Sequence, residues 1–194
     1  MKLKRPPSTQ PIPASARRVF KGVIFDVYQW KQKCYDGKIK IFEKLKRADS
    51  AMVIPIMTDG KIILSKQEQP GKKPFIGLIG GRVDRGETPL TAAKRELLEE
   101  TGLRAKKWSL FIANQPTSKI DWVVYCFIAT GCEKISEQNL DGAEKIKLLP
   151  VDFDTFVEMA TTEGFPETEL RIKLLEAKLD PKKIKNYRKL FSSK

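Results

Sequence analysis

Three glutamates, Glu96, Glu99 and Glu100, sit at spacings of three and one in this 194-residue chain. At about 100° of rotation per helical residue they share one flank, within an arc of about 100°. Like charges so placed repel by a few tenths of a kcal/mol per pair on an exposed helix. They also supply the converging oxygens that a hard divalent cation requires. A solvated acidic face is the plainer reading of such a trio, and the neighbouring residues weigh against it. Gly80-Gly81 lets a backbone carbonyl, that of Gly80, approach a metal without side-chain obstruction. Glu87 stands two helical turns before Arg95 and pairs with it to fix the intervening loop. The chain has no histidine, which removes Ser-His-Asp and Cys-His catalysis and His-ligated zinc. Its chemistry must run on carboxylates, lysines, tyrosines, thiols or an oxygen-bound cation.

The element that carries the trio is well marked. Thr88 is an N-cap, Pro89 suits the first helical position, and Gly102 suits the left-handed residue that ends a helix, so a helix is expected over about 89–101. Leu90 and Leu97 give it an apolar side for docking, and Ala92 and Ala93 leave room for a close ligand. Around it, alternation predicts strands at Arg18–Tyr28 and Lys38–Lys46, and further strands are expected at Ala51–Met57, Lys61–Ser65, Phe75–Ile79, Trp108–Ala113 and Trp122–Ala129. Thr58-Asp59-Gly60 marks a hairpin. After Leu148 the pattern turns helical, at Phe153–Met159 and Glu167–Leu179. This is a mixed α+β domain, with a lead-in over residues 1–16 that its four prolines mark as flexible.

The formal charge of +13 is concentrated at the ends. Residues 1–22 hold six basic groups and no acid, and residues 180–194 hold six and one. The 157 residues between them carry only +2, so a nucleic-acid role would act through the basic ends alone. No run approaches the roughly 20 apolar residues of a membrane span, and no apolar core marks a secretory signal. Three cysteines without CxxC spacing fit a reducing cytoplasm. The C-terminal KLDPKKIKNYRKLFSSK is broken by Pro181 and is expected to form a short basic helix.

The segment Gly81–Leu103, GRVDRGETPLTAAKRELLEETGL, resembles the Nudix box. Gly81, Glu87, Arg95, Glu96, Leu97, Glu99, Glu100, Gly102 and Leu103 fill all nine specified positions in 23 residues, a highly specific match. The resemblance implies an α/β/α sandwich with a central mixed sheet. It covers about 50–179 as a Nudix hydrolase domain, and the chain is expected to add a flexible arm (1–17), an N-terminal two-strand extension (18–49) and a basic tail (180–194). It implies that Glu96, Glu99, Glu100 and the Gly80 carbonyl bind Mg²⁺ or Mn²⁺, and that Glu87 and Arg95 hold the loop to the helix. The implied reaction is hydrolysis of a diphosphate linkage in a nucleotide derivative. The N-terminal strands, the run ILSKQEQP and Asp141-Gly-Ala-Glu144 look like the ADP-ribose pyrophosphatase branch, where the extension often crosses to a partner in a homodimer. There Glu144 matches a base or auxiliary metal ligand, with Asp141 in reserve and an ordinary loop acid as the alternative. Gly77 stands where many members have a glutamate, Ile79 replaces a usual proline, and Pro116 is the nearest match to the proline that marks ADP-sugar enzymes. Trp108, Trp122 and Phe111 are expected in the core, with stacking on a base as the alternative. Trp30 and Tyr28 are candidates for the dimer interface. Competing functions are a house-cleaning nucleoside triphosphatase, an RNA 5′-end pyrophosphohydrolase, and a non-catalytic nucleotide-binding module.

Overall fold

The computed structural model describes residues 3–142 and 144–192. Its centre is an eight-stranded mixed sheet. Strand β4 (Ser50–Met57) lies parallel to β11 (Val124–Lys134), and the remaining pairings are antiparallel. β4 and β5 (Ile62–Glu68) leave the expected hairpin turn but share one register pair, Ile56 with Ile62. Beyond it they splay. The gap is filled by Phe75–Arg82, which bends at Leu78 into β6 (Phe75–Gly77) on β5 and β7 (Ile79–Arg82) on β4. The sequence predicts one strand ending before Gly80; the structure carries it through both glycines. Gly80 has φ +141°, and a Cβ there would stand 2.2 Å from the Ala51 carbonyl, so only glycine lets β7 lie this close to β4.

Period-two alternation sends side chains of β4 and β11 to two cores. Ala51, Val53, Tyr125, Phe127 and Ala129 face helix α1 (Pro89–Thr101), which inserts Ala92, Ala93 and Leu97. Ile54, Ile56, Cys126 and Ile128 face α2 (Phe153–Ala160), α3 (Thr168–Lys178) and α4 (Pro181–Leu190). The result is an α/β/α sandwich. The basic C-terminal stretch contributes to it directly: Phe191, just after α4, is 2% exposed and packs against Phe111, Phe153 and Phe156. The charges of α4 stay outside, with Arg188 paired to Asp154.

The N-terminal segment holds three strands where the pattern suggests two. Gly22 breaks the run Arg18–Tyr28 into β1 (Arg17–Lys21) and β2 (Asp26–Lys33), which pair with β3 (Ile39–Lys46) and the short β10 (Ile120–Asp121). The Gly22 N–H donates to the Phe25 carbonyl, and a side chain at Gly22 would stand 2.6 Å from that oxygen. Residues 3–16, read as a flexible lead-in, follow this sheet. Arg5 pairs with Asp49 and Asp121, and Lys44, 1% exposed, donates to Ser8 Oγ at 2.8 Å and to the Gln10 carbonyl. Periodicity carries no trace of a buried lysine served by an arm 34 residues away. No helix among the described residues is long and apolar enough to cross a membrane.

Candidate active site

Helix α1 begins and ends as its sequence predicts. Thr88 Oγ1 accepts from the Thr91 N–H, Pro89 opens the first turn, and Gly102 is left-handed at φ 70°. Arg95 is the hub of the flank this helix presents. Its Nε and Nη2 donate to Glu87 Oε1 and Oε2 at 3.0 and 3.1 Å. Its Nη2 also donates to the Arg82 carbonyl. Its Nη1 donates to Glu96 Oε1 at 2.8 Å and Glu99 Oε2 at 3.0 Å. The Glu87 carboxylate further accepts the Asp84 N–H at 3.1 Å, so loop, strand β7 and helix are tied through one guanidinium. Hydrogen bonding to Arg95 holds the Glu87 carboxyl below its usual range.

Glu100 is different. It is 5% exposed, and its Oε2 accepts the Gly80 N–H at 3.0 Å. Burial pushes its carboxyl up to about 8, with Glu96, Glu144 and Glu99 pushing the same way. Glu96 is raised chiefly by burial, and the Glu99 and Glu144 charges add to it. Its carboxylate lies against Gly81, where a Cβ would be 2.5 Å from Glu96 Oε1. Glu144 is raised by burial first and then by Asp141, and it receives the Gln69 Nε2 at 3.5 Å. Ala143, within the same loop, lies outside the described residues.

The structure therefore brings Glu87, Arg95, Glu96, Glu99, Glu100, Gly80 and Glu144 to one place. Among the described residues no three acidic side chains enclose an ion as they stand, because the Arg95 fork engages Glu96 and Glu99 while Glu100 turns to β7. The donor set nevertheless fits a hard cation. Four carboxylates crowd together, one of them buried and accepting the Gly80 N–H, and an uncompensated charge of that kind is costly without a counterion.

A family model, the NUDIX domain, matches residues 46–177. The chain belongs to the Nudix family. This Nudix hydrolase is 28% identical over 145 residues to the ADP-ribose pyrophosphatase of Bacillus subtilis, covering 73% of the chain and 78% of that protein. It is likewise 28% identical over 123 residues to the methanol dehydrogenase activator of Bacillus methanolicus, 61% of the chain and 66% of that protein. A crystal structure of an ADP compounds hydrolase superposes with a TM-score of 0.69 over 91% of the chain and 98% of that one, at 20% identity, a likeness of fold. Nudix enzymes generally use divalent metals, in keeping with the acidic cluster.

Several residues of this Nudix site have no mark in the sequence. Gln138 Nε2 donates to the Glu100 carbonyl at 2.6 Å and the Ile146 carbonyl at 3.2 Å, and the Asn139 N–H donates to the Glu99 carbonyl. These bonds wrap residues 135–139 around the end of α1 and deliver Glu144, 44 positions beyond Glu100, to the trio. Glu167, at the start of α3, reaches the Leu78 N–H at 3.3 Å beside Gly77. Of the aromatics, Trp108 and Phe111 pack in the cores, whereas Trp122 lines a cavity.

Proposed function

We propose that this Nudix hydrolase cuts the diphosphate of a nucleoside diphosphate derivative of the ADP-ribose class, giving a nucleoside monophosphate and a sugar phosphate, with Mg²⁺ or Mn²⁺ as cofactor. The observation that carries the reading is Glu100, a buried carboxylate crowded by Glu96, Glu99 and Glu144. The Bacillus subtilis relative is an ADP-ribose pyrophosphatase by name. Glu96, Glu99, Glu100 and the Gly80 carbonyl would hold the cation. When bound, it supplies charge neutralisation for the diphosphate and acidifies the attacking water. Glu144, above its usual carboxyl range beside the trio, accepts the proton from that water. Glu87 and Arg95 position the loop and helix and keep Glu96 in place. The test is hydrolysis of ADP-ribose and other nucleoside diphosphate derivatives in oxygen-18 water with either metal. AMP from ADP-ribose is expected, and the labelled product names the attacked phosphorus. Failure to release a nucleoside monophosphate from any such substrate would overturn the reading.

A second copy of the chain is the partner we infer. Phe20, Ile39 and Ile41 of the N-terminal sheet, with Val23 and Ile24 of its β1–β2 turn, are each more than half exposed, an apolar surface of the kind that marks association. Light scattering should give twice the 22.1 kDa chain mass; a monomer mass would exclude the dimer. A reducing cytoplasmic location is part of the same inference, supported by the three free cysteines Cys34, Cys126 and Cys132.

A further inference from the structure

The side of α1 turned away from its acids carries a second pattern. Lys94, Leu97 and Leu98 stand at spacings of three and four, which places them together on the helix and opposite Glu96, Glu99 and Glu100. Between that side and the chain leaving the helix runs a groove of about 330 Å³. Its floor is apolar: Leu97 and Leu103 lie buried under it, and Trp108 is packed edge-on against Phe127 with ring centres 6.3 Å apart. Leu98, 38% exposed, stands open in its wall.

The rim is cationic. Lys94, Arg104 and Lys106 line the groove with exposed side chains, and among the described residues no acid lines it. Lys106 is paired with Glu133 and packs its stem against Gly131, which fixes that edge. Lys94 and Arg104 have no ion-pair partner among the described residues. This is not the general basic surplus of the chain, which sits at its ends. Residues 101–120 hold four basic groups and no acid, inside a stretch of near-neutral sequence. An apolar floor under a rim of one sign narrows the occupant. A phosphate polymer would pair with the rim and gain nothing from the floor. A membrane surface needs apolar tips that protrude beyond the cations, and here they lie below them. An acidic peptide satisfies both parts, with an apolar side chain in the floor and carboxylates on the rim.

We propose that this groove docks an acidic segment of another protein, which seats a large apolar side chain against Leu98 and Trp108 and places carboxylates on Lys94 and Arg104. The inference stands apart from the choice of substrate, because the groove backs onto the catalytic flank and shares no side chain with it. The test selects binders to the full chain from a displayed library of random short peptides. Recovered peptides are then measured by fluorescence anisotropy and located by amide chemical shifts. Enrichment of peptides that combine aspartate or glutamate with leucine, phenylalanine or tryptophan is expected, with shifts over 94–98 and 103–108. Lys94→Glu/Arg104→Glu should weaken such a peptide at least about tenfold, since reversed charge repels it. Leu98→Ser should weaken it about fivefold by removing an apolar contact, and neither variant should alter the circular dichroism spectrum. The proposal is overturned if no such peptides are enriched, if they bind Lys94→Glu/Arg104→Glu as tightly as the parent, or if the shifts are confined to the basic ends of the chain. Binding of a single-stranded oligonucleotide or of phosphatidylserine vesicles that disappears in Lys94→Glu/Arg104→Glu would also overturn it, by giving the groove another occupant.

Discussion

Glu100 and Glu167 lie against the same stretch of chain, from helices on opposite faces of the central sheet. Each accepts a backbone N–H, from Gly80 and Leu78 respectively, and each is pushed up by burial first, to about 8 and about 7. Their company separates them. Glu100 is raised further by Glu96, Glu144 and Glu99, whereas no acid adds to the shift of Glu167, whose carboxylate adds to the upward push that burial gives the Cys126 thiol. A raised carboxyl alone therefore does not mark the proposed cation site; what sets Glu100 apart is crowding by further carboxylates.

The sharpest way to break this contrast is to neutralise each acid in turn. Glu100→Gln should lower kcat about a thousandfold by removing charge from the proposed cation site, and steady-state rates within a few fold of the parent would place Glu100 outside the chemistry. The smallest intrusion on the charged face is Gly81→Ala. The backbone at Gly81 tolerates alanine, but the new methyl would displace the Glu96 carboxylate. A misplacement of that size should cost roughly a hundredfold in kcat with little change in Tm; an unchanged rate would free Glu96 of any geometric demand. Glu87→Gln leaves Arg95 with a neutral partner. Losing about 1 kcal/mol of charge-assisted bonding should lower Tm by about 2–4 °C, readable by calorimetry.

Glu167→Gln sharpens the other side of the comparison. The folded carboxyl is raised from an ordinary value of 4.5 to about 7. The folded state thus holds the proton more tightly than the unfolded one, and the stability this confers is complete below about 4.5 and lost as pH rises through about 7. The parent chain should lose more stability than Glu167→Gln between pH 5 and pH 8, by up to about 3 kcal/mol. Parallel denaturation midpoints across that window would show Glu167 to be unshifted.

The Glu87–Arg95 pair, the helix with its Thr88 and Gly102 ends, and the shared flank of Glu96, Glu99 and Glu100 were legible as letters because helical geometry converts spacing into direction. Strands β4 and β11 were legible as near-continuous apolar runs because each is buried on both faces. Gly22 hid inside an alternating run, since a tight turn made by one glycine leaves the neighbouring pattern intact. The splay of β4 from β5 was hidden too: a hairpin signal fixes the turn, not how far its strands remain paired.

Local order thus determined the sandwich class, the family motif and the acids on one helical flank, because hydrogen bonding within a helix and pleating within a strand act over a few residues. Only the tertiary structure decided that Glu144 joins that flank, that Glu167 reaches the Leu78 amide beside Gly77, and that Phe191 closes the second core. Those contacts join residues tens of positions apart, through side chains whose burial depends on every other element being packed first.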